Sequence, residues 1–222
     1  MTYILNIETA TKNCSVALSR NGQTLLLKEI ANEGFSHAER LHVFIEQICV
    51  EAAIALTDLS AIAISQGPGS YTGLRIGVSA AKGLCFALDI PLISADTLLL
   101  MASKVQIENG FIVPMIDARR MEVYSAVFST DYKIIRGIEA EILTENSFSD
   151  YNAPVYFLGD CTAKAKTVLT KPNFIFLDNL IYPSANEMSK LAYEKFTNKV
   201  FEDIAYFEPF YLKDFLITQS KK

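Results

Sequence analysis

Between Ala61 and Leu88 the chain reads AIAISQGPGSYTGLRIGVSAAKGLCFAL. A short apolar run rich in Ala and Ile stops at Gly67-Pro68-Gly69-Ser70, and a pattern of period 3.6 begins within a few residues. A buried strand that turns through glycines directly into a helix commits this part of the chain to an α/β layer. Two readings of the loop stay open. Its free amides, from Gly67, Gly69, Ser70, Tyr71 and Thr72, could receive an anion or nucleotide phosphate at the helix start, with Arg75 in the first turn to help. Alternatively it is a tight turn whose helix is capped by Thr72. A P-loop would need Gly-Lys-Ser/Thr where Gly73-Leu74-Arg75 stands, and a dinucleotide fingerprint would need its third glycine one position earlier.

The segments on either side extend the layer. YILNIETA, NCSVALSR and QTLLLKEI predict three antiparallel strands, the second turn marked by Arg20-Asn21-Gly22. SHAERLHVFIEQICVEAAIAL, from Ser36 to Leu56, predicts an amphipathic helix with Ser36 and Glu39 as a capping box. After the glycine loop come a helix, the strand IPLISA and a helix opened by Asp96. The second half repeats the order less cleanly: strands in GFIVPMIDA, MEVYSAVFST and IIRGIEAEIL, then APVYFLGD, a helix from Thr162 to about Thr170, NFIFLD, and a helix in SANEMSKLAYEKFTN. A duplicated architecture follows, with lobes at 1–105 and 106–222 and the 184–199 helix packing back on the first lobe. The aromatic tail predicts an ordered crossing segment up to Phe215.

Half of the residues are hydrophobic, enough for a substantial core, and no run approaches the length of a membrane span. The opening Met1–Glu8 stretch reads as a strand and not as a leader, so a cytoplasmic, non-exported protein is expected. Cys14, Cys49, Cys85 and Cys161 are far apart without a CxxC pair, which predicts reduced, buried thiols and no metal role. With 20 basic and 25 acidic residues the net charge is −5, so nucleic acid would not be held by a broad cationic face of this chain alone.

On the 72–89 helix, Gly73, Gly77, Ala80, Ala81 and Leu84 fall at i, i+4, i+7, i+8 and i+11. That stripe of small side chains would admit another helix at close range, either the preceding one or a partner's; Ile76, Val78 and Leu84 to Phe86 are left for the core. His37 and His42 are five apart on one helix, about 140° around it, and predict surface or interface histidines, not a shared metal site. Ser65 and Ser70 lack a nucleophile-elbow context. Glu8, Asp96, Asp117, Glu122 and Asp160 stand at strand ends or helix starts, where ligands gather and where carboxylates also cap turns.

QGPGSYTGLRIGVSAAKGL, with ILNIETATKNCSVAL, SHAERL, IDARRMEVY and PFYLK, resembles the bacterial TsaB (YeaZ) family from about Ile4 to Lys213. The resemblance implies two RNase H-like lobes of the actin/Hsp70/sugar-kinase fold. It also implies an accessory role in making threonylcarbamoyladenosine in tRNA. In that role the chain binds and activates the catalytic paralogue TsaD, with the ATPase TsaE and tRNA engaged by the assembly, and it forms a homodimer when TsaD is absent. The implied partner surface is Ser36, His37, Arg40, Leu41, Phe44 and Ile45 of the first helix with Gly73, Arg75, Gly77, Ala80, Ala81 and Leu84 of the second. No cofactor of its own is implied, ATP or ADP belonging to a composite site in the complex. The paired metal-binding histidines of TsaD-like proteins are missing, and Glu8 stands where the family usually has Asp. The rival readings are a glycoprotease-type metallopeptidase, an independent ATPase, and a stand-alone homodimeric binding module.

Overall fold

The computed structural model describes residues 1–31 and 37–213. β1 (Tyr3–Glu8), β2 (Asn13–Arg20) and β3 (Gln23–Ala31) form an antiparallel meander. β1 also pairs in parallel with β4 (Ala61–Gly67), and β4 with β5 (Leu92–Asp96), giving the order β3-β2-β1-β4-β5. β6 (Phe111–Asp117), β7 (Glu122–Phe128), β8 (Ile134–Ile142), β9 (Val155–Gly159) and β10 (Phe174–Phe176) repeat the pattern in a second sheet, β10-β9-β6-β7-β8. There too the first three strands are antiparallel, the fourth pairs in parallel with the first, and the fifth in parallel with the fourth. Burial explains the order. From Ile4 onward β1 is buried on both faces, as a central strand must be, whereas β3 alternates exposed and half-buried residues as an edge strand does. Asn21 (φ 50°) and Gly22 (φ 83°) make the two-residue turn between β2 and β3, using the two residue types that tolerate positive φ best.

α1 (His37–Ala52) and α2 (Tyr71–Leu88) lie side by side on one face of the first sheet. Leu41, Ile45 and Ile48 of α1 meet Val78, Ala81 and Cys85 of α2 over Ile7, Val16 and Ile62. α1 stops short of Leu56 because Ala53 turns left-handed (φ 52°) and Ile54 N–H reaches back to the Cys49 carbonyl. Its expected capping residue, Ser36, lies outside the described residues.

Two helices cross between the halves. α3 (Thr97–Ala102), capped by Asp96, whose side chain accepts the Leu99 N–H at 2.9 Å, sets Leu98, Met101 and Ala102 against Ile112, Ile116 and Phe128 of the second sheet. α4 (Thr162–Ala165) is shorter than expected, dissolving into turns through Leu169. α5 (Met188–Thr197) goes the other way, laying Met188 and Ala192 on Ile4, Ala61 and Ile93 of the first sheet. Full burial of Met188 stabilises this return crossing by about 2 kcal/mol. The aromatic tail is irregular through its last described residue, Lys213; Phe215 lies outside the described residues.

Candidate partner face and the glycine loop

The glycine loop is buttoned to the β1–β2 turn and to the first residue of α3. Ser70 N–H donates to the Ala10 carbonyl at 2.6 Å, Gly67 N–H to Thr97 Oγ1 at 3.1 Å, and Thr9 Oγ1 to the Gly73 carbonyl at 2.8 Å. A β-carbon at Gly69 would collide with Ala10, and one at Gly67 would stand 2.7 Å from the Phe210 carbonyl. The glycines are required here because backbone meets backbone. The helix begins one residue earlier than the sequence suggests, so the cap is Ser70, whose Oγ accepts the Gly73 N–H at 3.3 Å; Thr72 is exposed. The amides of Gly67, Ser70 and Gly73 are thus engaged by the chain itself.

α2 has two unlike faces. Gly73, Gly77 and Ala81 are buried, and a β-carbon at Gly77 would lie within 3.0 Å of Thr9 Oγ1 and 3.0 Å from Ile64 Cδ1. Outward stand Thr72, Ser79, Gly83, Phe86 and Ala87, with Phe86 83% exposed and open space at the Gly83 Cβ position. α1 adds Arg40, Val43 and Val50, the last 74% exposed. Phe44, Ala80 and Leu84 are half-buried at the edge of the core beneath. At the N-terminal end of α2, the Arg75 guanidinium lies 3.9 Å over the Tyr71 ring, and its Nε donates to Tyr211 Oη at 3.1 Å. Lys82 Nζ donates to the Phe207 carbonyl at 2.9 Å and Phe210 N–H to Gln66 O at 2.7 Å, so residues 207–211 form a strap along α2. A cleft of about 290 Å³ opens between strap and helix, lined by Val78, Ser79 and Pro209.

On the other face of the first sheet lies a polar seam. Asn6 donates to Ser189 Oγ at 3.3 Å, Asn13 to the Pro183 carbonyl at 2.9 Å, Ala185 N–H to Ser15 Oγ at 3.0 Å and Ser184 to Glu29 at 2.7 Å. Glu8 ends β1 beside it, fully buried, with Oε1 accepting the Ala10 N–H and Oε2 without a hydrogen bond. Burial pushes its carboxyl from the ordinary 4.5 up to about 7, although the Ala10 N–H, the Ser65 hydroxyl and the Lys104 charge all pull it down. In the second lobe Asp160 accepts the Asp117 N–H at 2.8 Å, and Lys164 pairs with Asp117 while donating to the carbonyls of Arg120 (2.8 Å) and Glu122 (2.6 Å). Asp96, Asp117 and Asp160 therefore bind backbone, as capping carboxylates do. Among the described residues no group of three His, Cys, Asp or Glu side chains could hold a metal ion.

A family model described as tRNA N6-adenosine threonylcarbamoyltransferase (TsaD) matches residues 29–219. The tRNA threonylcarbamoyladenosine biosynthesis protein TsaB of Escherichia coli is 30% identical over 220 residues, covering 95% of this chain and 94% of that protein. This chain belongs to the TsaB family. The solved structure of YeaZ from Pseudomonas aeruginosa superposes with a TM-score of 0.83 at 26% identity, covering 96% of this chain and all of that one. A relative named as the transferase, from Bacillus thuringiensis, is 36% identical over 107 residues but spans only 41% of this chain and 31% of its own length. The full-length match, and not the transferase description, therefore decides the TsaB assignment. The ethanolamine utilization protein EutJ from Carboxydothermus hydrogenoformans, at 13% identity and a TM-score of 0.50, shares the fold alone. The doubled sheets are those of the actin/Hsp70/sugar-kinase fold with its RNase H-like lobes.

Within the TsaB frame the expected partner residues separate by depth. Arg40 and Arg75 are exposed, Phe44, Ala80 and Leu84 half-buried, while Leu41, Ile45, Gly73, Gly77 and Ala81 point into the protein; Ser36 lies outside the described residues. The inward glycines are corrected from partner contacts to internal ones, because Thr9 occupies the space beside them. His37 is likewise internal and not a surface histidine: its Nε2 lies 2.8 Å from the Thr11 carbonyl and burial lowers its pKa. Phe86, assigned to the core from periodicity, is outside it. The residues that sequence reasoning missed are Ser79, Gly83, Phe86 and Ala87; the available signal was a mid-helix glycine with no internal use.

Proposed function

We propose that this protein is a noncatalytic subunit that docks on and activates a TsaD-type threonylcarbamoyltransferase, with TsaE and tRNA engaged by the assembly. The observation that carries the reading is the outward face of α1 and α2, where Phe86 and Val50 stand exposed beside the small residues Ser79, Gly83 and Ala87. Burying Phe86 in a partner is worth about 2 to 3 kcal/mol, and small neighbours let a partner helix approach closely enough to do it. A second copy uses the same face when the transferase is absent. The contribution to the reaction is positional: the docked helices order the transferase site, and any ATP or ADP belongs to the junction between subunits. Engagement of the loop amides of Gly67, Ser70 and Gly73 by their own chain supports this over an independent ATPase. The role is expected in the cytoplasm.

The test is reconstitution of threonylcarbamoyladenosine on unmodified tRNA from purified TsaD, TsaE and the synthase of the threonylcarbamoyl donor, with and without this protein. Product that depends on its addition supports the accessory role; equal product without it refutes that role.

A further inference from the structure

The turn between β6 and β7 holds two consecutive arginines in the left-handed region, Arg119 at φ 71° and Arg120 at φ 49°. Residues with a β-carbon disfavour that region, and arginine has no short polar side chain to compensate. The same chain meets a similar demand between β2 and β3 with Asn21 and Gly22. A single residue at positive φ ends a helix elsewhere in this chain, as at Ala53, but strain at two successive side chains persists only where the surrounding structure imposes it, and such strain clusters at functional sites. Both arginines are exposed, and neither has an ion pair among the described residues.

Their surroundings leave positive charge uncompensated. Asp117 is paired with Lys164 and Glu122 with Lys213. Lys164 also fixes the turn from beneath through the carbonyls of Arg120 and Glu122. The exposed Lys12, on the β1–β2 turn of the other lobe, is near enough to act on the charge of Asp160, which itself receives the Asp117 N–H. Lys12 of the first lobe thus acts on the carboxylate that receives the Asp117 N–H, two residues before the arginine pair, on a chain whose net charge is −5.

We propose that Lys12, Arg119 and Arg120 contact the phosphodiester backbone of RNA, so that this subunit touches the nucleic acid directly. The inference rests on the RNA-modification role proposed above. Guanidinium groups fit phosphate oxygens in a bidentate manner, and a rigid turn that presents two of them is a backbone contact of the positioning kind, without sequence readout.

The test is fluorescence anisotropy of a labelled, unmodified tRNA transcript with the isolated protein at low salt, followed by a salt series. Weak binding is expected, given the acidic net charge. The R119N/R120G variant should bind roughly tenfold more weakly, and the slope of log K against log salt should fall by about two. Its melting temperature should be equal or higher, because Asn and Gly relieve the turn. Lys12→Gln, which leaves the turn untouched, should also weaken binding and lower the slope. A charge-matched control, K190N/K199N on and just after α5, should leave affinity within about twofold. Absence of RNA binding by the wild type, equal binding by the variants, or an equal loss in the control would each overturn the proposal. So would labelled polyglutamate binding as tightly as the transcript and losing affinity in the same variants. Because the measurement uses the isolated chain, its failure leaves the reconstitution result, and with it the accessory role, separately decided.

Discussion

The same substitution, glycine to alanine, should have opposite effects at two positions of α2. At Gly83 the added methyl meets nothing within 4 Å, and a mid-helix glycine gives up about 1 kcal/mol relative to alanine. Gly83→Ala should therefore stabilise by that amount and raise the melting temperature by about 2 to 4 °C for a chain of this size. At Gly77 the propensity gain is the same, but the methyl falls against Thr9 Oγ1, 3.0 Å from Ile64 Cδ1 and 3.3 Å from Thr9 Cβ. Thr9 must rotate and lose its hydrogen bond to the Gly73 carbonyl, which costs about 1 kcal/mol. Displacing Ile64 and the sheet beneath adds about 2 kcal/mol. The net is a destabilisation of about 2 kcal/mol, a fall of roughly 4 to 8 °C by differential scanning calorimetry. Shifts of the same sign for both variants would refute the assignment of inner and outer faces. It follows that lost partner binding in a bulky Gly77 variant would report on folding and not on the interface.

The outer face gives the complementary result: Gly83→Leu and Phe86→Asp should abolish co-elution with TsaD while the circular dichroism spectrum stays native, and retained co-elution would count against that face. Glu8 has a pH signature. Its folded pKa, about 7, lies above the ordinary 4.5, so the native state binds the extra proton; its contribution is full below pH 4.5 and lost as pH rises through 7, a decline of roughly 3 kcal/mol. Glu8→Gln should be more stable than wild type at pH 8 and lack that part of the decline, as urea midpoints at pH 5 and pH 8 would show. The four cysteines are buried, and burial raises the Cys14 thiol to about 11 and that of Cys85 to about 12. Iodoacetamide at pH 8 should label them only as fast as the protein unfolds.

Element order could be read from the sequence because each local signal has a local cause. Asn21-Gly22 specifies its turn, Asp96 its cap, and alternating or continuous apolar runs their strands. The two faces of α2 could not be read that way. Gly73 and Gly77 differ from Ser79, Gly83 and Ala87 only in what lies beside them, and the neighbour is Thr9, more than sixty residues away. Small size is shared by residues that admit a strand end and residues that admit a partner. The crossing of α3 and α5 was no more accessible, since an amphipathic helix does not encode which sheet it covers. The cap was misplaced by two residues because Ser70 and Thr72 are both good caps, and the Ser70 N–H bond to Ala10 decides between them.

β1 shows why these features coexist. Strand periodicity sends Leu5 and Ile7 toward α1 and α2, and Ile4 toward α5 while Asn6 bonds to Ser189. At the strand end Glu8 lies buried in the polar layer, and just past it Thr9 is fastened to the glycines of α2. Adjacent residues thus serve opposite layers, one electrostatic and one steric. The two perturbations already described should then separate cleanly. Glu8→Gln should change how stability depends on pH, whereas Gly77→Ala should lower stability by the same amount at pH 5 and pH 8, since it moves no proton. A pH-dependent loss in Gly77→Ala would mean that shifting Thr9 disturbs the Glu8 carboxyl, and that the two layers are coupled through the single peptide bond between these residues.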